Sequence, residues 1–484
     1  MPHQTQICIV MVGYLVLLIL WGLYQGRKVK SSSDYAMAGR NLPGWAAALS
    51  ERATGESAWA LLGLPGFAYA SGLSSVWTAV GCVTGILTAW AALAWRLRDE
   101  AERHDANSFS EFLSEKHPET GARLRAVSSL IIVFFFFFYV GAQFLGGGKT
   151  FFTLFGIEPK IGMLVTALII VPYTVYGGFQ SVVYTDCVQA ILMIITLTVG
   201  PVAGIVALSG EAGKFAHSIP AALAAAGPEY TSLGGALSDF AGGALVMGGL
   251  SWFFGYLGGM PQLTTRFMAI KNAVQAKRAR NIGIAWTVVA YAGALSIGWI
   301  GLAIFGPGGL DDPEFVMPRV MLELFPPAIA GILITGAIAA MISTADSLLI
   351  LSATELSENL IPRTPKTKAG AKPRLARSRA ITALLAAVAL GTAYVSPSNI
   401  IYDLVGYVWA GIGCTFSVVV LLSLFWKRFH GKAAMLTMVF GMLFTIVWIQ
   451  SGMEKHITSR LMTFVASMAV AVVSTVLIPK QKRT

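Results

Sequence analysis

Apolar residues run along this chain in long, nearly unbroken stretches. They do not show the two-residue alternation of half-buried strands or the one-faced stripe of water-soluble helices. Thirteen stretches read as membrane-crossing helices: 7–24, 44–69, 74–95, 126–147, 160–176, 181–208, 241–263, 283–305, 327–351, 379–395, 400–426, 432–450 and 458–478. The pattern predicts an all-α polytopic membrane protein, with residues 1–484 forming a single integral membrane domain. The longest polar stretches are 96–125, 209–240 and 355–378, and none is large enough for a soluble domain. Two stretches carry interruptions. The second contains Ala53-Thr-Gly-Glu-Ser-Ala-Trp59, and the seventh contains Trp252-Phe-Phe-Gly-Tyr-Leu-Gly-Gly-Met-Pro261. Hydrocarbon offers no water to free backbone groups, so a break at membrane depth persists only where it lines a protein cavity. Breaks at matching places in two halves point to an inverted-repeat transporter with a midplane site. The competing reading of such Gly-rich stretches is close helix packing.

Composition supports the membrane assignment. The chain is 55% hydrophobic and 12% charged, with mean hydropathy +0.68, against about 25% charged for soluble domains. The net charge of +11 invites a nucleic-acid reading, but its placement excludes one. Basic residues crowd alternate loops: Arg27/Lys28/Lys30/Arg40, Arg96/Arg98/Arg103, Arg266/Lys271/Lys277/Arg278/Arg280, the Arg363–Arg379 cluster, Lys427/Arg428/Lys432 and the Lys480–Arg483 tail. The opposite loops hold scattered Lys149, Lys160, Lys214 and Lys455 and the acidic run 311–314. This asymmetry predicts a multi-pass protein of the cytoplasmic membrane with its N-terminus outside and its C-terminus inside. The basic surplus faces anionic lipid. The first stretch is too long for a signal peptide. Cys8, Cys82, Cys187 and Cys414 all sit within apolar stretches and suggest no disulfide framework. No nucleophile–base pair or metal cluster converges within the spans, so no enzyme is expected. No filter-forming motif argues for a channel, and no obligate protein partner or organic cofactor is indicated.

Candidate chemistry gathers at the breaks. Glu56 lies about 18 Å along the helix from Gly44 at 1.5 Å per residue, near the middle of a core roughly 30 Å thick. An ionisable group at that depth reads as functional. The plain alternative is an ion pair with Arg52, one turn back. On the ninth stretch Ser343, Asp346 and Ser347 share a helical face, with Thr344 beside them. A hard cation such as sodium takes oxygen ligands, which these hydroxyls and the carbonyls freed near 53–56 could supply. Taken singly, such hydroxyls usually bond back to their own turn. Asp186 lies about one turn into the sixth stretch. Asp186 and Asp346 either line an inner ion exit or are solvated at the interface. Trp59, Tyr139, Trp252 and Tyr256 lie on three stretches near the breaks and could clamp a small zwitterionic or ring-bearing solute. Gly146-Gly-Gly-Lys149-Thr150 lacks the leading glycine of a phosphate-binding loop, since Gln143 stands there, and is set aside.

These segments together resemble the sodium:solute symporter family, most closely its sodium/proline symporters. The matching pieces are Ser33-Asp-Tyr-Ala-Met-Ala-Gly-Arg40, the Ser57–Gly66 run, Tyr184-Thr-Asp-Cys-Val-Gln189, Gly255-Tyr256, Pro261 with Arg266-Phe-Met-Ala, Ser343-Thr344, and Tyr407-Val-Trp-Ala-Gly411 through Trp426. The resemblance implies a LeuT-type five-plus-five inverted repeat of about 13 helices. The first helix would be 7–24, the first repeat 44–208, the second 241–426, and the last two helices 432–478. It implies a sodium site of the Ala53, Glu56 and Ala340 carbonyls with the Ser343 and Thr344 hydroxyls. A second sodium site would use Asp186 with Asp346 or Ser347. The implied solute pocket comprises Gly55, Ser57, Trp59, Tyr139, Trp252, Tyr256 and Pro261. Two departures stand out. Proline symporters carry an aspartate at the position of Gly55 and an apolar residue at that of Glu56, and this chain has an extra residue between Tyr256 and Pro261. The expected function is sodium-coupled import of a small organic solute, proline or a related amino acid, by alternating access. The rivals are a proton-coupled symporter of another small solute using Glu56, and a non-transporting membrane nutrient sensor.

Overall fold

The computed structural model describes residues 2–479 except 28, 30–34, 37–39, 238, 361–370 and 397. Basic residues tallied above at 28, 30, 363–370 and 480–483, and positions 33, 34 and 37–39 of the first matching motif, lie outside the described residues.

Among the described residues the backbone is helical, apart from turns and one isolated β-bridge. The chain opens with α1 (Pro2–Gly26), then α2 (Gly44–Ala58), which passes through a π-turn at Trp59–Gly63 into α3 (Leu64–Ser71). Next come α4 (Val76–Thr88), α5 (Ala94–Arg103), α6 (Phe109–Lys116), α7 (Gly121–Phe155) and the long α8 (Pro159–Leu208). Two connecting helices, α9 (Ile219–Ala226) and α10 (Pro228–Thr231), lead to the broken trio α11 (Asp239–Leu250), α12 (Trp252–Gly255) and α13 (Pro261–Ala269). The remainder is α14 (Ala273–Phe305), α15 (Val316–Leu324), α16 (Pro327–Thr354), α17 (Ala371–Tyr394), α18 (Ile401–Val408), α19 (Thr415–Phe425), α20 (Gly431–Gln450) and α21 (Ser459–Leu477).

Ten helical stretches among the described residues are long and apolar enough to cross a membrane. Two of them bend and each carries two of the expected crossings. Gly44–Arg103 turns at the 3-10 segment Gly72–Ser75, and Pro159–Leu208 turns at Gly178. Gly178 has φ 65°, and a Cβ there would stand 2.8 Å from the Tyr35 ring, so backbone angle and space both call for glycine. The seventh expected crossing is absent from the ten because it is cut into α11, α12 and α13. The polar stretch 96–125 is more ordered than its composition suggests. Helix continues to Arg103, and the Ser108 hydroxyl accepts the Glu111 N–H at 3.1 Å to start α6.

The core forms around α2, which packs on α8, α14 and α16. Lys271 N donates to Leu42 O at 3.0 Å and Leu42 N to Ala269 O at 3.1 Å, so the segment entering α2 is tied to the end of α13. Arg98 on α5 clamps the same junction by donating to the Ile270 carbonyl at 3.1 Å and to that of Lys271. Elsewhere helices meet through small residues. A Cβ on Gly293 of α14 would lie 1.9 Å from the Leu197 carbonyl of α8. Gly293→Val should therefore cost about 1–3 kcal/mol and lower the unfolding temperature in detergent. An unchanged midpoint would show that α14 and α8 are not in contact there.

Candidate functional site

The break in α2 is confined to one residue. Ser57 takes φ 55° and ψ −169° within otherwise helical backbone, a conformation that costs a non-glycine residue about 1–3 kcal/mol. The surroundings satisfy the N–H groups that the break frees. Gln143 Oε1 on α7 accepts Ala58 N–H at 2.9 Å, and Ser57 Oγ accepts Trp59 N–H at 3.1 Å. Neither partner was apparent from periodicity, since Gln143 had entered only as the residue that spoils a phosphate loop.

Carbonyls on the other side of the break meet α16. Ser343 Oγ lies 2.9 Å from Ala53 O and 3.1 Å from Ala340 O, while Thr344 Oγ1 donates to Thr54 O at 3.0 Å. All four residues whose hydroxyls or carbonyls meet across the two helices here (Ala53, Thr54, Ser343, Thr344) are buried, as is Ala340. The structure thus brings together Ala53, Ala340, Ser343 and Thr344, and adds Thr54. The Glu56 carbonyl points into the next turn instead and accepts Trp59 N–H.

Of the expected solute-pocket residues, five cluster. The Trp59 and Trp252 rings stand 4.5 Å apart, Tyr139 Oη lies 3.5 Å from Ser57 Oγ, and Tyr256 packs against Trp409 at 4.2 Å, which in turn reaches Trp252 at 5.7 Å. Tyr256 Oη also bonds Tyr291 Oη at 2.9 Å. A roof comes from the start of α18. The Tyr402 ring stacks on Trp59 at 5.7 Å and on Phe67 at 4.6 Å. The Glu314 carboxylate fixes that helix end by accepting the Ile401 and Tyr402 N–H groups at 3.0 Å each, and buried Lys149 pairs with Glu314 and with Asp312. Gly55 and Pro261 stand apart from the rings. A side chain at 55 would meet Arg52 Nη2 and Leu263 at 3.3 Å, and Pro261 opens α13.

Glu56 does pair with Arg52, Nη1 to Oε1 at 2.9 Å, but this is only part of the arrangement. Arg52 also binds both oxygens of Glu51, with Nε 2.6 Å from Oε2, and Thr287 Oγ1 accepts from it at 3.1 Å. Trp90 Nε1 donates to Glu51 at 3.0 Å. Glu51 therefore engages Arg52 through both oxygens, whereas Glu56 does so through Oε1 alone. Two carboxyl groups thus share one guanidinium.

A second buried arginine–carboxylate group gathers beside Ser50 and Thr54 of α2. Arg266 on α13 donates to Ser50 Oγ (2.7 Å), the Gln262 carbonyl (2.8 Å), Asp186 Oδ2 (2.9 Å) and Ser347 Oγ (2.5 Å). Asp186 also accepts from Ser50 (2.6 Å) and Thr54 (3.3 Å), and Asp346 accepts from Tyr173 Oη at 2.7 Å. Asp186 and Asp346 are wholly buried, which overturns interfacial solvation as their role. Arg266 is likewise buried. Its place in the cytoplasmic charge tally was therefore wrong: it balances Asp186 inside the protein. Adjacency to Phe267-Met268-Ala269 hid this, because an arginine at a span end looks interfacial.

Comparison with known proteins follows this geometry. Residues 35–441 match the sodium:solute symporter family. The osmoregulated proline transporter OpuE of Bacillus subtilis (strain 168) is 33% identical over 447 residues, covering 91% of this chain and 88% of that protein. A sodium/proline symporter of Staphylococcus aureus (strain JH9) is 34% identical over 454 residues, covering 92% and 86%. A Na+-coupled sialic acid symporter, solved substrate-bound and outward-open, superposes with TM-score 0.79 at 19% identity over 99% of both chains. Mhp1, a nucleobase-cation-symport-1 family transporter solved in a closed conformation, gives TM-score 0.54 at 12% identity over 93% and 96%. These two likenesses establish the LeuT-type fold.

The two carboxylates on Arg52 should respond unequally to neutralisation. Glu51→Gln removes a two-pronged partner and should destabilise by about 3–5 kcal/mol, the usual cost of breaking a buried pair. Glu56→Gln leaves Arg52 paired and should cost less. Thermal unfolding in detergent reads the difference, and equal losses would contradict the unequal sharing.

Proposed function

We propose, from the premise that this chain belongs to the sodium:solute symporter family, that it imports a small organic solute, proline or a related amino acid, driven by inward sodium flow through alternating access. The observation that carries the reading is the meeting of Ser343 and Thr344 hydroxyls with Ala53 and Thr54 carbonyls at a break in α2. Hydroxyl and carbonyl oxygens at one place suit sodium. In the absence of an ion, the hydroxyl protons occupy the same carbonyl lone pairs that the ion would share. The ion is cargo here, and no organic cofactor enters the scheme.

Coupling follows from shared backbone. The oxygens at 53–54 and the ring clamp beginning at Trp59 flank Ser57, the strained residue of this stretch. An ion that orders the carbonyls also sets the direction in which Trp59 leaves the break. The rings of Trp59, Trp252, Tyr139 and Tyr256 supply apolar contact and faces for a cationic group, while Ser57 Oγ and Tyr139 Oη supply polar contact. One sodium ion entering down 100 mV yields about 2.3 kcal/mol, and a tenfold gradient adds about 1.4 kcal/mol. Together these sustain about 500-fold accumulation of a neutral solute. The N-terminus lies outside and the C-terminus in the cytoplasm, by the placement of basic loops.

Ser343→Ala and Thr344→Ala should each raise the sodium concentration for half-maximal uptake by about tenfold, the worth of one hydrogen-bonding oxygen to a charged group. Uptake of labelled proline into proteoliposomes, across a sodium series at fixed pH, measures this. Unchanged sodium dependence in both variants would place the ion elsewhere. Uptake by the unmutated chain that ignores sodium would overturn the coupling and favour a proton carried by Glu56.

A further inference from the structure

We infer that the inner end of α16 holds a second cation-binding position, a staging site for a monovalent hard cation, built around Glu355 and separated from the oxygens at Ser343 by Arg266. The inference rests on sodium being the coupling ion.

Glu355 is wholly buried. Its hydrogen-bond donors are all neutral: Ser129 Oγ at 2.7 Å, Asn359 Nδ2 at 2.6 Å and Ser110 N–H at 3.4 Å. Among the described residues no lysine, arginine or histidine forms an ion pair with it. Of the buried carboxyl groups described so far, Glu51 and Glu56 lie beside Arg52, Asp186 beside Arg266 and Glu314 beside Lys149, whereas Asp346, like Glu355, is met by neutral donors. An ionised carboxylate with neutral partners alone is costly to bury, and a bound cation offsets that cost.

The surroundings have the features of a path. A small cavity of about 10 Å³, room for one water-sized occupant, is lined by Glu355, Thr354, Ser347, Arg266 and Asn107. Ser343, Ser347, Leu351 and Thr354 follow one another at helical spacing, so one face of α16 runs from the Ser343 hydroxyl to this cavity. The distance from Ser343 to Glu355 along the helix is about 18 Å. Ser110, fully buried, brings both its N–H and its hydroxyl beside the Glu355 carboxylate. Backbone geometry changes at the same point: Glu355–Leu360 is a π-turn, which brings Asn359 onto the carboxylate, and such turns gather at functional positions.

Arg266 forms the partition. It lines the cavity while holding Ser347 and Asp186. The carboxyl groups of Asp186, Asp346 and Glu355 lie around this one guanidinium and along the same side of α16. An ion leaving the Ser343 oxygens must loosen the Arg266 contact with Ser347 before it meets Glu355. The cavity then holds it until it enters the cytoplasm.

The test uses charge-selective labelling and needs no knowledge of the solute. Asn107→Cys is placed in the full-length chain with Cys8→Ser, since Cys8 is the exposed native cysteine. A cationic methanethiosulfonate should modify this thiol about tenfold faster than an anionic one of equal size. Sodium should slow the cationic reagent relative to choline at equal ionic strength. Adding Glu355→Gln should abolish both effects, while sodium still raises the unfolding temperature through the Ser343 and Thr344 oxygens. Equal rates for the two reagents overturn the inference without recourse to the Glu355 variant, so a variant that fails to fold does not shelter it. Sodium protection that survives Glu355→Gln overturns it too. If sodium stabilises the unmutated chain but shows no effect at residue 107, this inference falls alone. If sodium stabilises nothing, the coupling reading falls and this one with it.

Discussion

A broken helix in hydrocarbon must have every freed N–H and C=O answered by protein, and much of this molecule is arranged around that demand. At Ser57 the answer comes from three directions. Gln143 on α7 and the Ser57 hydroxyl take N–H groups, and Ser343 and Thr344 on α16 serve the carbonyls. The interruption between α12 and α13 is handled alike, with Ser417 Oγ accepting Gly259 N–H at 3.1 Å and Thr264 Oγ1 donating to Gly258 O at 2.8 Å. Gln143, Ser343, Thr344 and Ser417 come from neighbouring helices, while Ser57 and Thr264 belong to the broken helices themselves. Together they fix where the breaks can sit, and the carbonyl oxygens that remain are the ones available to an ion.

The buried charges follow one rule with variations. Arg52 carries Glu51 and Glu56, and Arg266 carries Asp186 with Asp346 nearby. Each guanidinium is outnumbered by the carboxyl groups around it. The exchange of carboxylate between positions 55 and 56 becomes intelligible in this light. A side chain at Gly55 would point to Arg52 Nη2, which is near the group Glu56 already holds. Moving the acid by one residue changes the path of the chain to Arg52 more than it changes the destination.

Much of the fold could be read from the chain because long apolar runs leave few alternatives in a membrane. The two breaks were also legible, from Gly-Glu-Ser in one stretch and Gly-Gly-Met-Pro in the other. What could not be read was which polar residues face each other across helices distant in sequence. Gln143 looked incidental, Arg266 looked interfacial, and Glu51 was eclipsed by Glu56 at the more familiar four-residue spacing. Tyr402 and Trp409, which complete the ring cluster, are ordinary aromatics until α18 is placed over Trp59. Periodicity reports which face of a helix is buried. It does not report what that face meets, and every missed residue here is a meeting of that kind.

The two hydrogen bonds between Leu42 and the end of α13, clamped by Arg98, have a mechanical consequence. They splice the start of α2 to the end of α13, one arm of each broken helix, so neither arm swings without dragging its mate. A door on that side would have two leaves on a single crossbar, and force applied at either leaf is felt at both.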